Sequence, residues 1–147
     1  MIHEFDGKFA FLSNFYDSTF THDGITYSTN EHFFQAMKTL DIAEKKAIAA
    51  AATPGIAKRM GRKVKLRSDW EEVKVYFMRL GLTLKFQDPV LAQKLLETND
   101  EELIEGNWWH DNEWGSCSCP KCANIPGRNL LGKLLMEVRE DVRLRSK

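Results

Sequence analysis

Apolar residues recur at helical spacing along most of the chain beyond residue 28. Ser28-Thr29-Asn30-Glu31 has the spacing of a capping box, and Phe33, Met37 and Leu40 follow at i, i+4 and i+7. This pattern predicts an amphipathic helix that begins near residue 30. A second helix, rich in Ala, Lys and Glu, is predicted over residues 41–52.

Later patterns predict the remaining helices. Thr53-Pro54 starts a short helix that Gly61 can end, because proline is favoured at the first helical position. Ser68-Asp69-Trp70-Glu71 is a second capping box and opens a long helix that should stop at Asp88-Pro89, where a shorter one follows to about residue 96. The apolar stripe of the long helix comprises Trp70, Val73, Phe77, Leu80 and Leu84. The apolar stripe of the final helix comprises Leu130, Leu134, Val138 and Val142.

The first part of the chain has the pattern of short strands and turns. Residues 8–12 are rich in aromatics, and residues 19–21 and 25–27 flank His22-Asp23-Gly24, whose glycine can supply the positive φ of a hairpin turn. Residues 98–128 form a long connection, with a strand predicted at 102–105. The predicted fold is α+β and predominantly helical, a single domain over residues 1–147 with a small β element near the N-terminus. Long loops in compact domains tend to be functional, so chemistry is expected in the connection.

Composition narrows the function classes. The chain is 43% hydrophobic, enough to fill a core, and its 21 Lys and Arg residues balance its 21 Asp and Glu residues. Non-specific binding of duplex nucleic acid is disfavoured, because it relies on a basic surplus. A local basic cluster over residues 58–67 favours a compact phosphate-bearing ligand. No secretory signal or membrane span is expected, and three cysteines do not make a disulfide framework, so the expected compartment is the cytosol.

One face of the first predicted helix carries Glu31, Gln35 and Lys38. Spacing alone favours the solvent face of an ordinary amphipathic helix. The alternative is one wall of a cleft that handles a ribose. In such a cleft the carboxylate can engage hydroxyls or move a proton, and the lysine can attack an anomeric carbon.

Residues 107–115 hold three tryptophans and two carboxylates within a polar segment. Indole rings offer flat surfaces on which a nucleobase can stack. Asp111 can stabilise an oxocarbenium-like transition state, or act as an acid or base. The alternative is that the tryptophans fill a small core under a surface loop.

Three further motifs admit a binding and a structural interpretation. Cys117, Cys119 and Cys122, with His110, have residue types found in zinc sites, but structural sites usually show two separate ligand pairs, so inert thiols are the preferred interpretation. Residues 127–133 can form an anion site at a helix N-terminus, or a plain helix start. Ser13-Asn14-Phe15-Tyr16 can contact a base, or form a turn.

The order of these motifs is itself informative. Residues 11–16 read FLSNFY and residues 31–38 contain the pattern EHxxQxxK. Both resemble signatures of the NADAR (YbiA-like) family, and the resemblance runs from about residue 5 to 140. Further matching segments are residues 57–62, 69–74, 85–89, 95–98, 111–115 and 127–132.

The resemblance implies a single YbiA-like domain that acts as an N-glycosidase, with no metal or organic cofactor. Family members either remove ADP-ribose from modified guanine or release ribose 5-phosphate from a riboflavin-pathway ribosylamino-pyrimidine phosphate. The expected partner is therefore a small N-riboside or ADP-ribosylated guanine, with no membrane. The catalytic residues so predicted are Glu31, Lys38 and Asp111. The predicted substrate-binding residues are Asn14, Phe15, Gln35, Arg62, Trp70, Trp114, Gly127 and Asn129.

In the resulting hypothesis, Glu31 engages the ribose hydroxyls or transfers a proton, and Asp111 stabilises positive charge at the anomeric carbon. Lys38 holds the sugar or forms a transient Schiff base with its opened aldehyde. Trp114 stacks on the base or closes over the sugar. Arg62 and the turn at residues 127–129 bind phosphate.

Three points leave alternatives open. Trp70 belongs to an apolar stripe by periodicity but to the site by resemblance. The cysteine-rich segment 117–125 departs from the usual family pattern and leaves open which branch of the family, and so which substrate, the chain matches. The rival functions are a nucleotide or ADP-ribose reader that does not cleave its ligand, and a zinc-stabilised interaction domain.

Overall fold

The β-hairpin predicted near the N-terminus is present in the computed structural model, which describes residues 1–146. Strands β1 (Phe20–His22) and β2 (Ile25–Tyr27) pair antiparallel over their full length. Asp23 and Gly24 connect them with φ of 49° and 77°. Two consecutive residues with positive φ match the right-handed twist of the flanking strands, which explains the Asp-Gly sequence at this turn.

The chain divides into two compact units. The central unit is Asn14–Lys85, and the terminal unit combines Met1–Ser13 with the described residues from Phe86 onward. The single domain predicted over residues 1–147 stays a prediction. Within residues 1–146, no helix combines the length and apolar character required to cross a membrane.

The central unit is built around a short helix. α1 packs against β2 and against three other helices, and all seven of its residues are buried. Its early residues are polar, so the burial must be stabilised by hydrogen bonds rather than by apolar contacts alone. The helices of the unit are α1 (Asn30–Ala36), α2 (Ile42–Ala49), α3 (Pro54–Gly61) and α4 (Trp70–Lys85).

The start and end of α1 differ from the prediction. Thr29 is the N-cap, and its hydroxyl accepts a hydrogen bond from His32 N at 3.1 Å. The predicted capping box, with Ser28 at the N-cap, is therefore wrong. The helix ends at Ala36, earlier than expected. Leu40 consequently lies outside it and is 68% exposed.

The start of α3 follows the predicted chemistry, while α2 (Ile42–Ala49) is shorter than the predicted range 41–52. Asp41 caps α2 and accepts a hydrogen bond from Ala43 N at 2.8 Å. Thr53 caps α3, which has Pro54 at its first position and Gly61 at its last, as predicted.

Trp70 is the one residue of the apolar stripe predicted for α4 that is buried. The buried residues of α4 are Trp70, Met78, Gly81, Leu82 and Lys85. A Cβ at Gly81 would lie 1.9 Å from Asn30 Oδ1, so the glycine permits a close approach of α4 to α1. The other residues of the predicted stripe, Val73, Phe77, Leu80 and Leu84, are only partly buried.

The terminal unit is helical with one small sheet. Residues 7–12 form a 3₁₀ helix instead of the expected strand-like segment. The strand predicted at 102–105 reduces to a single bridge between Leu103 and Ile2, and two short strands after it pair in parallel. The apolar stripe predicted for the last helix is confirmed at Leu134, Val138 and Val142, which are buried. The remaining elements are α5 (Pro89–Leu96), β3 (Gly106–Asn107), β4 (Ser116–Cys117) and α6 (Leu130–Arg145).

The fold class is as predicted. Helices dominate both units, and a two-stranded antiparallel sheet lies near the N-terminus. The chain is therefore α+β and mainly helical, with four buried polar residues on α1: Asn30, Glu31, His32 and Gln35.

Candidate active site

α1 places a carboxylate and an amide inside the central unit rather than on its surface. Glu31 is 7% exposed and Gln35 is 4% exposed. They are one helical turn apart, and Gln35 Nε2 donates a hydrogen bond of 2.7 Å to Glu31 Oε1. The solvent-face interpretation of these two positions is therefore wrong.

Gly61, the last residue of α3, lies directly against the side-chain amide of Gln35. A Cβ at Gly61 would lie 1.9 Å from Gln35 Oε1, so a larger residue fits there only if a helix or the amide moves. Among the described residues, no donor reaches this buried oxygen. A buried acceptor without a partner is costly, and a hydroxyl of a bound ligand would satisfy it.

The surroundings of Glu31 favour its neutral, protonated form. Burial raises the pKa of this carboxyl above its usual value. The hydrogen bond from Gln35 and the positive charges of Lys58 and Lys38 lower the pKa, but they do not cancel the effect of burial. A carboxyl with a raised pKa can donate a proton near neutral pH, as a general acid must.

Lys38 follows α1 and is only partly buried. Burial lowers the pKa of its amine, and the charges of Arg62 and Lys58 act in the same direction, against the opposing effect of Glu31. A lysine with a lowered pKa has a larger neutral fraction, and the neutral amine is the nucleophile. Lys38 Nζ lies 6.0 Å from the ring centre of Trp70.

Trp70 satisfies both interpretations made from the sequence. It is 7% exposed, and its ring packs against Phe34 with the ring centres 5.0 Å apart, so it belongs to the core. It is also the first residue of α4 and faces Lys38. The backbone of Lys38 is fixed close by, since its carbonyl accepts a hydrogen bond of 2.8 Å from Arg67 N.

Asn14 is a buried support for the site. Its carbonyl accepts a hydrogen bond of 3.0 Å from Glu31 N, and its side-chain oxygen accepts one of 2.9 Å from Asn30 Nδ2. These bonds connect the chain before the hairpin to the start of α1. Phe15, the next residue, is 45% exposed.

Basic side chains of α3 and its C-terminal end complete the central cluster. Lys58 is half-buried and Arg62 is exposed, and both charges act on Lys38. Sequence reasoning assigned Arg62 but missed Lys58 and Asn30 as individual site residues. The available signal was weak: Lys58 belongs to the basic cluster, and Asn30 precedes the glutamate in the matching motif.

The terminal unit holds Asp111 and Trp114 in a tight turn. Asp111 Oδ1 accepts hydrogen bonds from Glu113 N at 3.1 Å and Trp114 N at 2.9 Å. Asn107 shapes the preceding residues, since its Nδ2 donates to the Asp111 carbonyl at 2.8 Å. One oxygen of the proposed catalytic carboxylate therefore also organises the turn.

The two tryptophans before this turn are not core residues. Trp108 is 63% exposed and Trp109 is 62% exposed. The interpretation that these two rings fill a small core is therefore wrong. Trp114 is partly buried, and its carbonyl accepts a hydrogen bond from Leu131 N at 3.0 Å.

The start of α6 differs from a free anion site. Backbone N–H groups of residues 128–131 donate to carbonyls of residues 112–115 at 2.7 to 3.1 Å. Asn129, at φ 51°, accepts a hydrogen bond from Glu105 N and donates one to the Leu103 carbonyl. A Cβ at Gly127 would lie 2.5 Å from Ser116 Cα. Gly127 and Asn129 thus join the turn to α6, and these N–H groups are already engaged.

The structure therefore groups the predicted site residues by unit. The central unit brings together Asn14, Glu31, Gln35, Lys38, Arg62 and Trp70. The terminal unit holds Asp111, Trp114, Gly127 and Asn129. Within residues 1–146, the side chains grouped closely enough to hold a metal ion are His110, Cys117, Cys119 and Cys122.

Comparison with known proteins gives consistent results. Residues 2–143 match the model of the NADAR domain. The N-glycosidase YbiA of Escherichia coli is 40% identical over 134 residues, which cover 89% of this chain and 80% of that protein. An N-glycosidase of Nostoc punctiforme is 42% identical over 123 residues, covering 80% of this chain and 75% of that protein.

Two further matches concern a longer protein and a solved structure. A riboflavin biosynthesis protein of Vibrio vulnificus is 35% identical over 143 residues, covering 95% of this chain but only 37% of that protein. The NMR structure of Escherichia coli YbiA is similar with a TM-score of 0.83 at 36% identity. That match covers 99% of this chain and 87% of the other.

Proposed function

Because this chain belongs to the NADAR domain family, we propose that it is an N-glycosidase that hydrolyses the bond between a ribose carbon and a nitrogen. The observation that carries the proposal is the pair Glu31 and Lys38. Burial shifts the pKa of each toward its neutral form, so one can supply a proton and the other an electron pair. Two relatives of this chain, from Escherichia coli and Nostoc punctiforme, are named N-glycosidases.

Glu31 serves as the acid in the first step. As the C1–N bond breaks, its electrons go to the nitrogen, which takes the proton of Glu31. The neutral amine of Lys38 forms a bond to the same carbon and gives one of its protons to the Glu31 carboxylate. Positive charge develops on the sugar during this step. Its stabilisation is the role proposed for the carboxylate of Asp111.

Water completes the reaction. The ribosyl–lysine adduct opens to a Schiff base, water adds to the carbon, and the C–Nζ bond breaks. The electron pair and the two protons of the water return to Lys38, which had given one proton to Glu31 and the other to the ring oxygen. The net change is one water consumed, with a free sugar and a free nitrogen base released.

The substrate carries a phosphate close to the ribose. Lys58 and Arg62 lie within electrostatic range of Lys38, and a phosphate there would offset their mutual repulsion. Two substrates fit this chemistry: ADP-ribosylated guanine and a ribosylamino-pyrimidine phosphate of riboflavin synthesis. Trp114 is proposed to stack on the base or close over the sugar. The cytosol stays the expected compartment.

The test is incubation with ADP-ribosylated guanosine and, separately, with the ribosylamino-pyrimidine phosphate, followed by mass spectrometry of the released sugar. ADP-ribose or ribose 5-phosphate identifies the substrate. Glu31→Gln should lose turnover while keeping its fold, because the amide has nearly the same shape. Glu72→Gln, at an exposed position on α4, is the matched control and should keep full activity.

Three outcomes would contradict the proposal. Full activity in Glu31→Gln removes Glu31 from the mechanism. Equal loss in Glu72→Gln shows that the effect is not specific. Binding of both compounds without sugar release favours the non-catalytic reader.

A further inference from the structure

The loop between His110 and Cys122 gathers all three cysteines of the chain around one histidine. The three thiols are buried, with exposed fractions of 4% to 6%, and they form a cluster of their own. The Nδ1 or Nε2 atom of the histidine and the three sulfurs all lie within 4.8 Å of one another. Thiol and imidazole are the ligands that zinc prefers in proteins.

The distances within this cluster match those of a zinc site. His110 Nδ1 lies 3.3 Å from Cys119 Sγ, 3.3 Å from Cys122 Sγ and 3.8 Å from Cys117 Sγ. In a tetrahedral site, with Zn–S of about 2.3 Å and Zn–N of about 2.0 Å, a nitrogen and a sulfur are about 3.5 Å apart. The ion would therefore fit with movements of a few tenths of an ångström for these pairs.

The local backbone brings the four ligands together. The parallel pair β3 and β4 sets Asn107 beside Cys117, so the start and end of the intervening loop are fixed. Ser118 N donates to the Asn107 carbonyl at 2.8 Å, and Cys122 N donates to the Cys119 carbonyl at 3.0 Å. Two bonds of this kind hold the later cysteines in one short turn.

The histidine itself has an unusual conformation. His110 has φ of 69°, in the left-handed region that non-glycine residues rarely adopt. Asn107 Oδ1 stabilises this bend by accepting hydrogen bonds from Trp109 N at 3.2 Å and Asp111 N at 3.1 Å. The bend presents the imidazole to the three thiols.

We propose that His110, Cys117, Cys119 and Cys122 bind one Zn²⁺ ion in a closed structural site. Four protein ligands leave no open position, so the ion holds the loop and takes no part in the hydrolysis. Binding requires the thiols to lose their protons, which gives three thiolates, one neutral imidazole and a net charge of −1. The site departs from the metal-free protein expected from the sequence.

The site has a consequence for the rest of the loop. The turn at Asp111 and Trp114 lies between the first ligand, His110, and the second, Cys117. Zinc binding closes this segment at both ends and so reduces the conformations it can adopt without the metal. The metal therefore stabilises the turn that carries two of the proposed site residues.

The first test is metal analysis of the tag-free full chain, purified under reducing conditions from zinc-supplemented medium. We expect about one zinc ion per chain, because a closed site with four protein ligands holds a single ion. Cys119→Ser should lose the metal, and Lys121→Ala, an exposed position in the same turn, should keep it. Wild-type protein that holds no zinc after reconstitution with excess Zn²⁺ overturns the proposal.

Two further measurements keep the test informative if Cys119→Ser fails to fold. Loading wild-type protein with Co²⁺ should give the strong visible bands of a tetrahedral site and thiolate-to-metal charge transfer in the near ultraviolet; octahedral spectra overturn the proposal. His110→Cys supplies a fourth thiolate and should keep zinc.

This test is independent of the glycosidase activity. Glu31→Gln lies in the central unit and should carry the same zinc content as wild type, whatever its turnover. Activity with no zinc therefore rejects the metal site alone. Zinc with no activity rejects only the proposed function.

Discussion

The side-chain amide of Gln35 donates a hydrogen bond of 2.7 Å to the carboxylate of Glu31, and both groups are buried within α1. The bond stabilises the charged carboxylate, while burial favours its protonated form. Burial has the larger effect, so the pKa stays above its usual value. The amide thus limits how far burial can raise the pKa of the proposed acid.

Replacing Gln35 with Met should move the pH dependence of kcat/KM. The acid acts in its protonated form, so activity falls as pH rises through the pKa of Glu31. Loss of the hydrogen bond raises that pKa further, and the falling limb should move to higher pH. Gln87→Met, at an exposed position, should leave the profile in place. A shift to lower pH would contradict the assignment of Glu31 as the acid.

Gly61→Ala should weaken both the fold and the activity. The added methyl group would lie 1.9 Å from Gln35 Oε1, and overpacking of this kind costs about 1–3 kcal/mol in the free energy of unfolding. Gly55→Ala is the matched control, because it is on the same helix and its nearest neighbour is 3.8 Å away. Urea unfolding of both variants checks the prediction. Equal stability of the two would show that the Gln35 amide moves away freely.

Lys38→Arg should lower kcat by about 100-fold or more, because the guanidinium keeps its charge and cannot act as the amine nucleophile. Reduction of the wild-type enzyme with borohydride during turnover should trap a sugar adduct on Lys38, found by peptide mass spectrometry. Lys46→Arg, at an exposed position on α2, should retain both activity and the adduct. Loss of activity in Lys38→Arg with no adduct in wild type would leave Lys38 as a residue that only holds the sugar.

Lys85 should make stability depend on pH. It is 2% exposed at the end of α4, and burial lowers its pKa from 10.5 to about 7. Between these two values the unfolded chain binds a proton that the folded chain does not, so the free energy of unfolding should rise with pH. The slope from this residue is at most about 1.4 kcal/mol per pH unit.

The measurement compares wild type with Lys85→Met by urea unfolding at pH 7, 8 and 9. The difference between the two proteins isolates the lysine from other groups that titrate in this range. The free energy of unfolding of wild type, relative to that of Lys85→Met, should increase as pH rises. A constant difference would mean that the folded-state pKa of Lys85 is close to the unfolded value.

Local sequence signals predicted much of the fold correctly. The hairpin depends on Asp23-Gly24, and α3 on Thr53-Pro54 and Gly61, because each of these residues acts through its own backbone preference. The family resemblance was confirmed by the match over residues 2–143. Signals of this kind need no knowledge of distant contacts.

Predictions that counted apolar residues did less well. Glu31 and Gln35 are buried and bonded to each other, and hydrophobic periodicity cannot register such a pair. The burial of α4 depends on the missing side chain of Gly81, which has no apolar signal. Periodicity therefore found the helices and the buried residues Phe33, Met37 and Trp70, but it missed the buried polar side of α1 and most of the buried residues of α4.

The loop residues were hardest to assign from sequence. His110 and Cys122 are 12 positions apart, and only the backbone bend brings their nitrogen and sulfur to 3.3 Å. The N–H groups that begin α6 meet carbonyls of residues 112–115, a pairing that depends on tertiary structure. The roles of Asp111, Trp114, Gly127 and Asn129 in the reaction stay predictions.

The complete burial of α1 also bears on how the enzyme could be redesigned. With all seven of its residues enclosed, the helix offers directed evolution no position where side chains can be exchanged without repacking a neighbour. A library aimed at new substrates would do better to randomise exposed positions such as Phe15 and Arg62. Such a library would vary substrate choice at exposed positions, while α1, which carries Glu31, keeps its sequence.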